Sequence, residues 1–165
     1  MTQIANPDEL LEKLAINLDN LLEQRSIDKP LMVGIHTGGV WLAEKLHQKL
    51  NITDELSTLD ISFYRDDFSR IGMNPQVKPS SLPPQVEDRH IILVDDVLQT
   101  GRTIRAAMNE IFDYGRPASI TLACLIERSG RELPIQADAV GQRLELANNE
   151  QIKLSGPEPL AWVIK

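Results

Sequence analysis

Ile91-Ile92-Leu93-Val94-Asp95-Asp96-Val97-Leu98-Gln99-Thr100-Gly101-Arg102-Thr103 is the stretch that decides how this chain folds. Four consecutive aliphatics read as a strand buried on both faces, the habit of parallel strands in α/β folds. The strand ends in two adjacent carboxylates, and Thr-Gly-Arg-Thr follows at a helix start. In open α/β sheets, ligands sit beyond the carboxyl ends of the strands. Gly101 lets the backbone approach a ligand without a Cβ in the way. The free N–H groups of a helix N-terminus bind phosphate, aided by the helix dipole, and Thr100 and Thr103 add hydroxyl donors. Asp95 and Asp96 repel that phosphate, but they can accept hydrogen bonds from the hydroxyls of an attached sugar. Asp95, Asp96, Val97, Leu98, Gln99, Thr100, Gly101, Arg102 and Thr103 therefore read as a ribose 5-phosphate site. The plainer alternative has the acidic pair merely ending a strand and capping a helix. Two adjacent carboxylates behind four aliphatics, leading into this loop, disfavour it.

Upstream, the leucines at 10, 11, 14, 18, 21 and 22 fall at helical spacing, with charged residues between them, which predicts an amphipathic helix over 7–24. Leucines 10, 14 and 18 could serve either the core or an interface. Leu31–Ile35 reads as a short apolar strand running into the tight loop His36-Thr37-Gly38-Gly39, with a second helix over 40–50. Residues 56–64 alternate and read as a strand. Residues 65–87 hold Pro75, Pro79, Pro83 and Pro84, a density that disfavours a central strand or helix and suggests a hairpin or lid.

Downstream, a helix over 102–114 is expected to stop at Gly115 with Pro117 beyond. Residues 119–126 form another apolar strand, 127–134 read as a loop, and Ala139-Val140 and Trp162-Val163-Ile164 are short final strands. The alternation predicts one α/β domain over 1–165, a mainly parallel central sheet flanked by helices. Residues 148–165 otherwise carry no interpretable motif.

The 165 residues carry a formal net charge of −7, with 42% hydrophobic and 25% charged residues, the mix of an ordinary globule. An acidic chain is a poor default partner for a polyanionic nucleic acid backbone. No apolar run approaches the length of a membrane span, and residues 1–9 lack the pattern of a secretory signal, so a cytoplasmic location is expected. The single cysteine, Cys124, cannot form an internal disulfide and reads as a buried strand residue. His36, His47 and His90 show no metal-ligand spacing, and the sequence names no metal ligand set.

The loop at 95–103 resembles the signature of type I phosphoribosyltransferases, in which two acidic residues precede a Thr-Gly-x-Thr phosphate loop. The segments Leu59-Asp60-Ile61-Ser62-Phe63-Tyr64-Arg65-Asp66-Asp67, Tyr114-Gly115-Arg116-Pro117-Ala118 and Glu127-Arg128-Ser129-Gly130-Arg131-Glu132-Leu133-Pro134-Ile135 narrow the resemblance. In order and spacing they are similar to the PyrR family of pyrimidine operon attenuation regulators, which are also uracil phosphoribosyltransferases. The resemblance runs from about Met32 to Gly141.

It implies transfer of a phosphoribosyl group from phosphoribosyl diphosphate to uracil, giving UMP and diphosphate, with Mg²⁺ as cofactor. Asp95 and Asp96 would favour an oxocarbenium-like transition state. His36, Thr37, Gly38 and Gly39 would bind diphosphate, and Arg65 would contact it from a mobile lid at 65–87. A hood at about 127–141, completed by C-terminal strands, would shape the base site, with Arg128, Ser129 and Arg131 as base-binding candidates. Subunit pairing as a homodimer or higher oligomer is also implied.

Gly38 stands where many members carry an arginine in Thr-Arg-Gly, which removes a charge-assisted contact to diphosphate. A sensor that binds UMP or phosphoribosyl diphosphate with little turnover, passing the signal to RNA or a protein, is the alternative reading. Transfer to a purine is a third, and the Arg-Glu-Leu-Pro-Ile segment argues against it. RNA is an implied partner, yet positions basic in RNA-binding members here read Gly130, Gln136 and Gln142, and the first helix is acidic on its polar face.

Overall fold

The computed structural model describes residues 3–61 and 86–165. Its elements run α1 (Pro7–Gln24), β1 (Leu31–Ile35), α2 (Gly38–Lys49), β2 (Ser57–Leu59), β3 (His90–Leu98), α3 (Arg102–Asp113), β4 (Ser119–Arg128), β5 (Ala139–Leu144), β6 (Ile152–Ser155) and β7 (Ala161–Ile164). Five strands form one sheet in the order β2-β1-β3-β4-β5. Every neighbouring pair in it is parallel, which places the first-to-second and third-to-fourth strand connections in crossover form. The α/β architecture expected from the sequence is therefore present. Strands β6 and β7 make a separate antiparallel ribbon.

Helix α1 begins where the sequence says it should. Asn6 caps it, its side chain accepting from the Asp8 N–H at 2.8 Å, with Pro7 at the start and Asp8 and Glu9 in the first turn. Its stripe of Leu10, Leu11, Leu14, Leu18 and Leu22 is buried against β4 and β5. The leucine face that the sequence left open between core and interface is thus core. Together with α2 it covers one face of the sheet, joined by Met32, Leu42, Leu46, Val94 and Leu125. The other face holds Val33, Ile35, Leu59, Leu93 and Leu122 with Ile104, Ala107 and Ile111 of α3. A sheet covered on both faces explains why its central strands read as unbroken aliphatic runs.

Three boundaries differ from expectation. Helix α2 starts at Gly38 rather than 40, because the two glycines pack directly against β3. Strand β3 does not stop at Val94 but continues through the acidic pair to Leu98, since β4 runs beside it as far as Arg128 and keeps the ladder going. Strand β5 joins the central sheet as a parallel edge strand, so part of the expected hood belongs to the sheet and the remainder is the segment between β4 and β5. Strand β6 was not anticipated; Ile152 and Leu154 are buried on one side of it. Among the described residues, no helix is long and apolar enough to cross a membrane. The lid expected at 65–87, apart from Val86 and Glu87, lies outside the described residues, as does the end of the strand expected at 56–64.

Candidate active site

The parallel pairing of β1 with β3 brings their carboxyl ends side by side, and with them the loops at 36–39 and 95–103. Asp95 is buried, 5% exposed, and its Oδ1 accepts the Asp96 N–H at 2.9 Å. Asp96 is partly exposed, and its Oδ1 accepts the Val97 N–H at 2.8 Å. Each carboxylate is thereby aimed by the next peptide of its own strand. Cys124 is the register partner of Asp95 on β4. Burial pushes its thiol well above the ordinary value, and the negative charges of Asp95, Asp96 and Glu127 push further, against a backbone hydrogen bond at Asp95 that pulls the other way. Cys124 is thus a protonated core residue, as the sequence suggested.

Gly101 caps α3 with φ of +93°, a conformation glycine adopts without strain, and supplies no capping side chain. The Thr100 hydroxyl oxygen accepts the Arg102 N–H at 3.1 Å. The Thr100 carbonyl accepts from the N–H groups of Glu132 and Leu133 at 3.0 and 3.1 Å. Arg102 Nε donates to Glu132 Oε1 at 3.0 Å. These contacts fasten the segment after β4 onto the loop before α3.

At the neighbouring loop, the His36 N–H donates to the Leu59 carbonyl at 2.9 Å, anchoring it to β2, and the His36–Thr37 peptide is cis. Gly38 and Gly39 open α2 against the end of β3. A Cβ at 39 would lie 2.5 Å from the Val94 carbonyl oxygen and 3.1 Å from the Asp95 Cα. A Cβ at 38 would instead meet the Asp96 side chain. His36, Thr37, Gly38, Gly39, Asp95 and Asp96 are thus brought together. Arg65 lies outside the described residues.

The base-binding candidates fare differently. Arg128 is 4% exposed, and its guanidinium donates to three main-chain carbonyls, those of Ser129 at 3.2 Å, Ala147 at 3.0 Å and Glu150 at 2.6 Å. Burial lowers its pKa from the ordinary value, with the Glu150 charge opposing. The Arg128 side chain clamps the C-terminal segment, while the residue also lines the cavity at the hood. The Ser129 hydroxyl donates to the Leu146 carbonyl and accepts the Leu146 N–H, both at 2.9 Å. Arg131 is exposed, with one contact to Gln136 Oε1 at 3.4 Å.

A cavity of about 370 Å³ opens here, lined in part by Gln99, Glu127, Ser129, Arg131, Ile135 and Arg143. Glu127 is the residue that sequence reasoning passes over. Its two oxygens accept from the Ala137 N–H at 3.0 Å and from Arg143 Nε at 2.7 Å. The signal was available, since Glu127 follows an apolar strand just as Asp95 does.

A parallel sheet with both loops at its carboxyl edge is an open α/β fold, and the match of the family described as phosphoribosyl transferase domain to residues 2–156 makes it a phosphoribosyltransferase domain. The fold is shared with a hypoxanthine phosphoribosyltransferase from Staphylococcus aureus (TM-score 0.65, 17% identity, covering 90% of this chain and 80% of that one). It is shared also with a purine phosphoribosyltransferase from Pyrococcus horikoshii (TM-score 0.61, 21% identity, covering 84% and 83%).

Relatives in sequence are nearer. The bifunctional protein PyrR of Nitrosococcus oceani is 62% identical over 97% of this chain and 92% of its own length. That of Pseudomonas paraeruginosa is 57% identical over 96% and 93%. The chain belongs to the PyrR family of type I phosphoribosyltransferases.

Proposed function

We propose that the chain joins uracil to the phosphoribosyl group of phosphoribosyl diphosphate, releasing diphosphate and forming UMP. The observation that carries this reading is the meeting of Asp95 and Asp96 with the Gly38–Gly39 loop and the glycine-capped start of α3. In the reaction the bond from the sugar C1 to a diphosphate oxygen breaks and a bond from uracil N1 to that carbon forms. N1 gives up its proton, for which Asp96 is the candidate acceptor. Asp95 and Asp96 accept hydrogen bonds from the ribose hydroxyls. As positive charge develops on the sugar, the buried Asp95 and the partly exposed Asp96, each held by a hydrogen bond to its own strand, favour it without reorganising. The N–H groups opening α3 hold the 5-phosphate, and the loop at 36–39 takes the diphosphate. The cavity lined by Glu127 and Arg131 receives the base, its edges read by main-chain groups of the hood and by the tip of Arg131.

Mg²⁺ belongs to this reading. Among the described residues, no group of three or more His, Cys, Asp or Glu side chains could hold a metal. Mg²⁺ is commonly held through one or two carboxylates and the substrate's own oxygens. Asp96 offers hard oxygen donors of that type, and the ion would offset the charge of the departing diphosphate.

Regulation of pyrimidine genes, subunit pairing and a cytoplasmic setting also belong to this reading. The RNA mode is disfavoured by the acidic chain. It is disfavoured too by the pairing of Arg102 with Glu132 and of Arg143 with Glu127, which weakens the field around the hood. A second reading, a UMP or phosphoribosyl diphosphate sensor with little turnover, is favoured by Gly38, which brings no cation to the diphosphate loop. The test is UMP formation from labelled uracil and phosphoribosyl diphosphate with Mg²⁺, in the unmodified chain and in Asp96→Asn. Turnover that collapses in the variant supports the transferase. No turnover in either protein, with UMP still bound by the unmodified chain, sinks it in favour of the sensor.

A further inference from the structure

The segment between β4 and β5 meets the phosphate loop at several points. Its Glu132 and Leu133 N–H groups share the Thr100 carbonyl, at 3.0 and 3.1 Å. Glu132 Oε1 accepts from Arg102 Nε at 3.0 Å. Just beyond, the Ile135 N–H donates to the Leu133 carbonyl at 2.7 Å, a tight turn. It leaves both side chains over Gly101, where a Cβ would lie 3.2 Å from Ile135 Cβ and 3.4 Å from Leu133 Cβ. Residues 132–135 are thus seated on residues 100–102 by main-chain bonds, an ion pair and apolar contact together. Ile135 also lines the cavity of about 370 Å³, with Gln99 and Arg131. Whatever seats the segment therefore sets one wall of that cavity. Arg102 opens α3, yet its guanidinium is turned to Glu132.

We propose that Glu132 is a positioning residue for the base site: paired with Arg102, it seats residues 132–135 on the phosphate loop and so holds the Ile135 wall against a bound pyrimidine. The inference rests on the transferase reading, which gives the cavity to the base, and deepens it. Glu132 does not itself line the cavity, so it acts through the segment and not on the ligand. Both side chains of the pair are about half exposed, 50% for Arg102 and 53% for Glu132, and such a pair adds little to the stability of a whole domain. Its effect is local. Losing it loosens one wall of the cavity, while the phosphate site, built on β3 and the start of α3, keeps its main-chain donors. A ligand that carries a base feels the pair, and a ligand without one does not.

The test compares UMP with ribose 5-phosphate, which has the same sugar and phosphate and lacks the base. Calorimetric titration gives both affinities for the unmodified chain, Glu132→Gln, Arg102→Gln and the double variant. Glu132→Gln weakens UMP about threefold, the scale of an exposed ion pair, and leaves ribose 5-phosphate unchanged. Arg102→Gln also removes a cation near the phosphate, so it is read as the preference for UMP over ribose 5-phosphate, which falls by about the same factor. In the double variant that preference falls no further than in the singles, as it must for two partners in one contact. Three results overturn the proposal: UMP binding unchanged in Glu132→Gln, equal weakening of both ligands by Glu132→Gln, or effects on the preference that add in the double variant. Binding needs no turnover, so the transferase reading fails separately, as absence of UMP formation in the unmodified chain, and the affinities still decide the role of Glu132. An unmodified chain that binds UMP no more tightly than ribose 5-phosphate also overturns it, because the cavity then holds no base.

Discussion

The carbonyl of Glu150 accepts a hydrogen bond from Nη1 of the buried Arg128 at 2.6 Å, tying the end of β4 to a segment more than twenty residues further along the chain. With Ala147 and Ser129 it completes a guanidinium clamp made wholly of main-chain acceptors. Removing the side chain would leave these acceptors without their donor in a site only 4% exposed. Arg128→Ala should therefore lose about 3 kcal/mol of stability, the scale for hydrogen bonds to a charged group and the acceptors they leave behind. Arg128→Lys should restore part of that, since one ammonium cannot span the same fork. Urea unfolding measures both. A near-neutral Arg128→Ala with a raised KM for uracil would return the residue to the base site.

Cys124 offers a pH test. Its folded pKa is raised by burial and by Asp95, Asp96 and Glu127, whereas an unfolded cysteine loses its proton near pH 8.5. Below that pH both states hold the proton and the thiol's contribution is fully present. Above it the unfolded chain binds fewer protons than the native one, so stability falls with rising pH until the native thiol titrates. The expected slope from this group is about 1.4 kcal/mol per pH unit. Cys124→Ala should fall less steeply than the unmodified chain between roughly pH 9 and 10; parallel slopes would contradict the buried-thiol picture. Thiol reagents should label Cys124 only at the rate of unfolding.

Gly39 should tolerate substitution worse than its exposed neighbours on α2. Its Cβ would press on the Val94 carbonyl oxygen at 2.5 Å, and main chain in the central strand cannot turn aside as a side chain tip can. Gly39→Ala should cost about 1–3 kcal/mol, the range for overpacking, despite alanine's better helix propensity. Denaturant midpoints of Gly39→Ala and of an exposed α2 variant such as Gln48→Ala make the comparison.

The sequence carries the sheet clearly where packing is two-sided. Ile91 to Val94 and the run after Ser119 are aliphatic because helices cover both faces, and the α1 stripe reads as helix because its leucines must all reach one surface. What it carries less well is set by partners distant in the chain. Strand β3 outlasts its aliphatic run because β4 continues beside it. Strand β6 spans only four residues, too short for its alternation to stand out. Asp95, Asp96, Gly38 and Gly39 stand out as a candidate site because their chemistry is local to two strand-to-helix turns. The fate of Arg128 does not, because its acceptors are carbonyls, which every residue has.

Ligand binding gives the last test. If Asp95, Asp96 and the start of α3 hold a ribose 5-phosphate, UMP binds the folded chain and not the unfolded one. Its stabilisation follows mass action, so UMP at about a hundred times its Kd should add about 2.7 kcal/mol. For a chain of this size that is a rise in Tm of roughly 5–10 °C. Uridine lacks the phosphate that the α3 N–H groups would hold, so at equal concentration it should shift Tm far less. Asp96→Asn should keep part of the UMP shift, because the amide retains one acceptor oxygen for the ribose while the phosphate contacts are untouched. Equal shifts with UMP and uridine would mean that the loop at 99–103 does not bind the phosphate, and the assignment of the site would fail there.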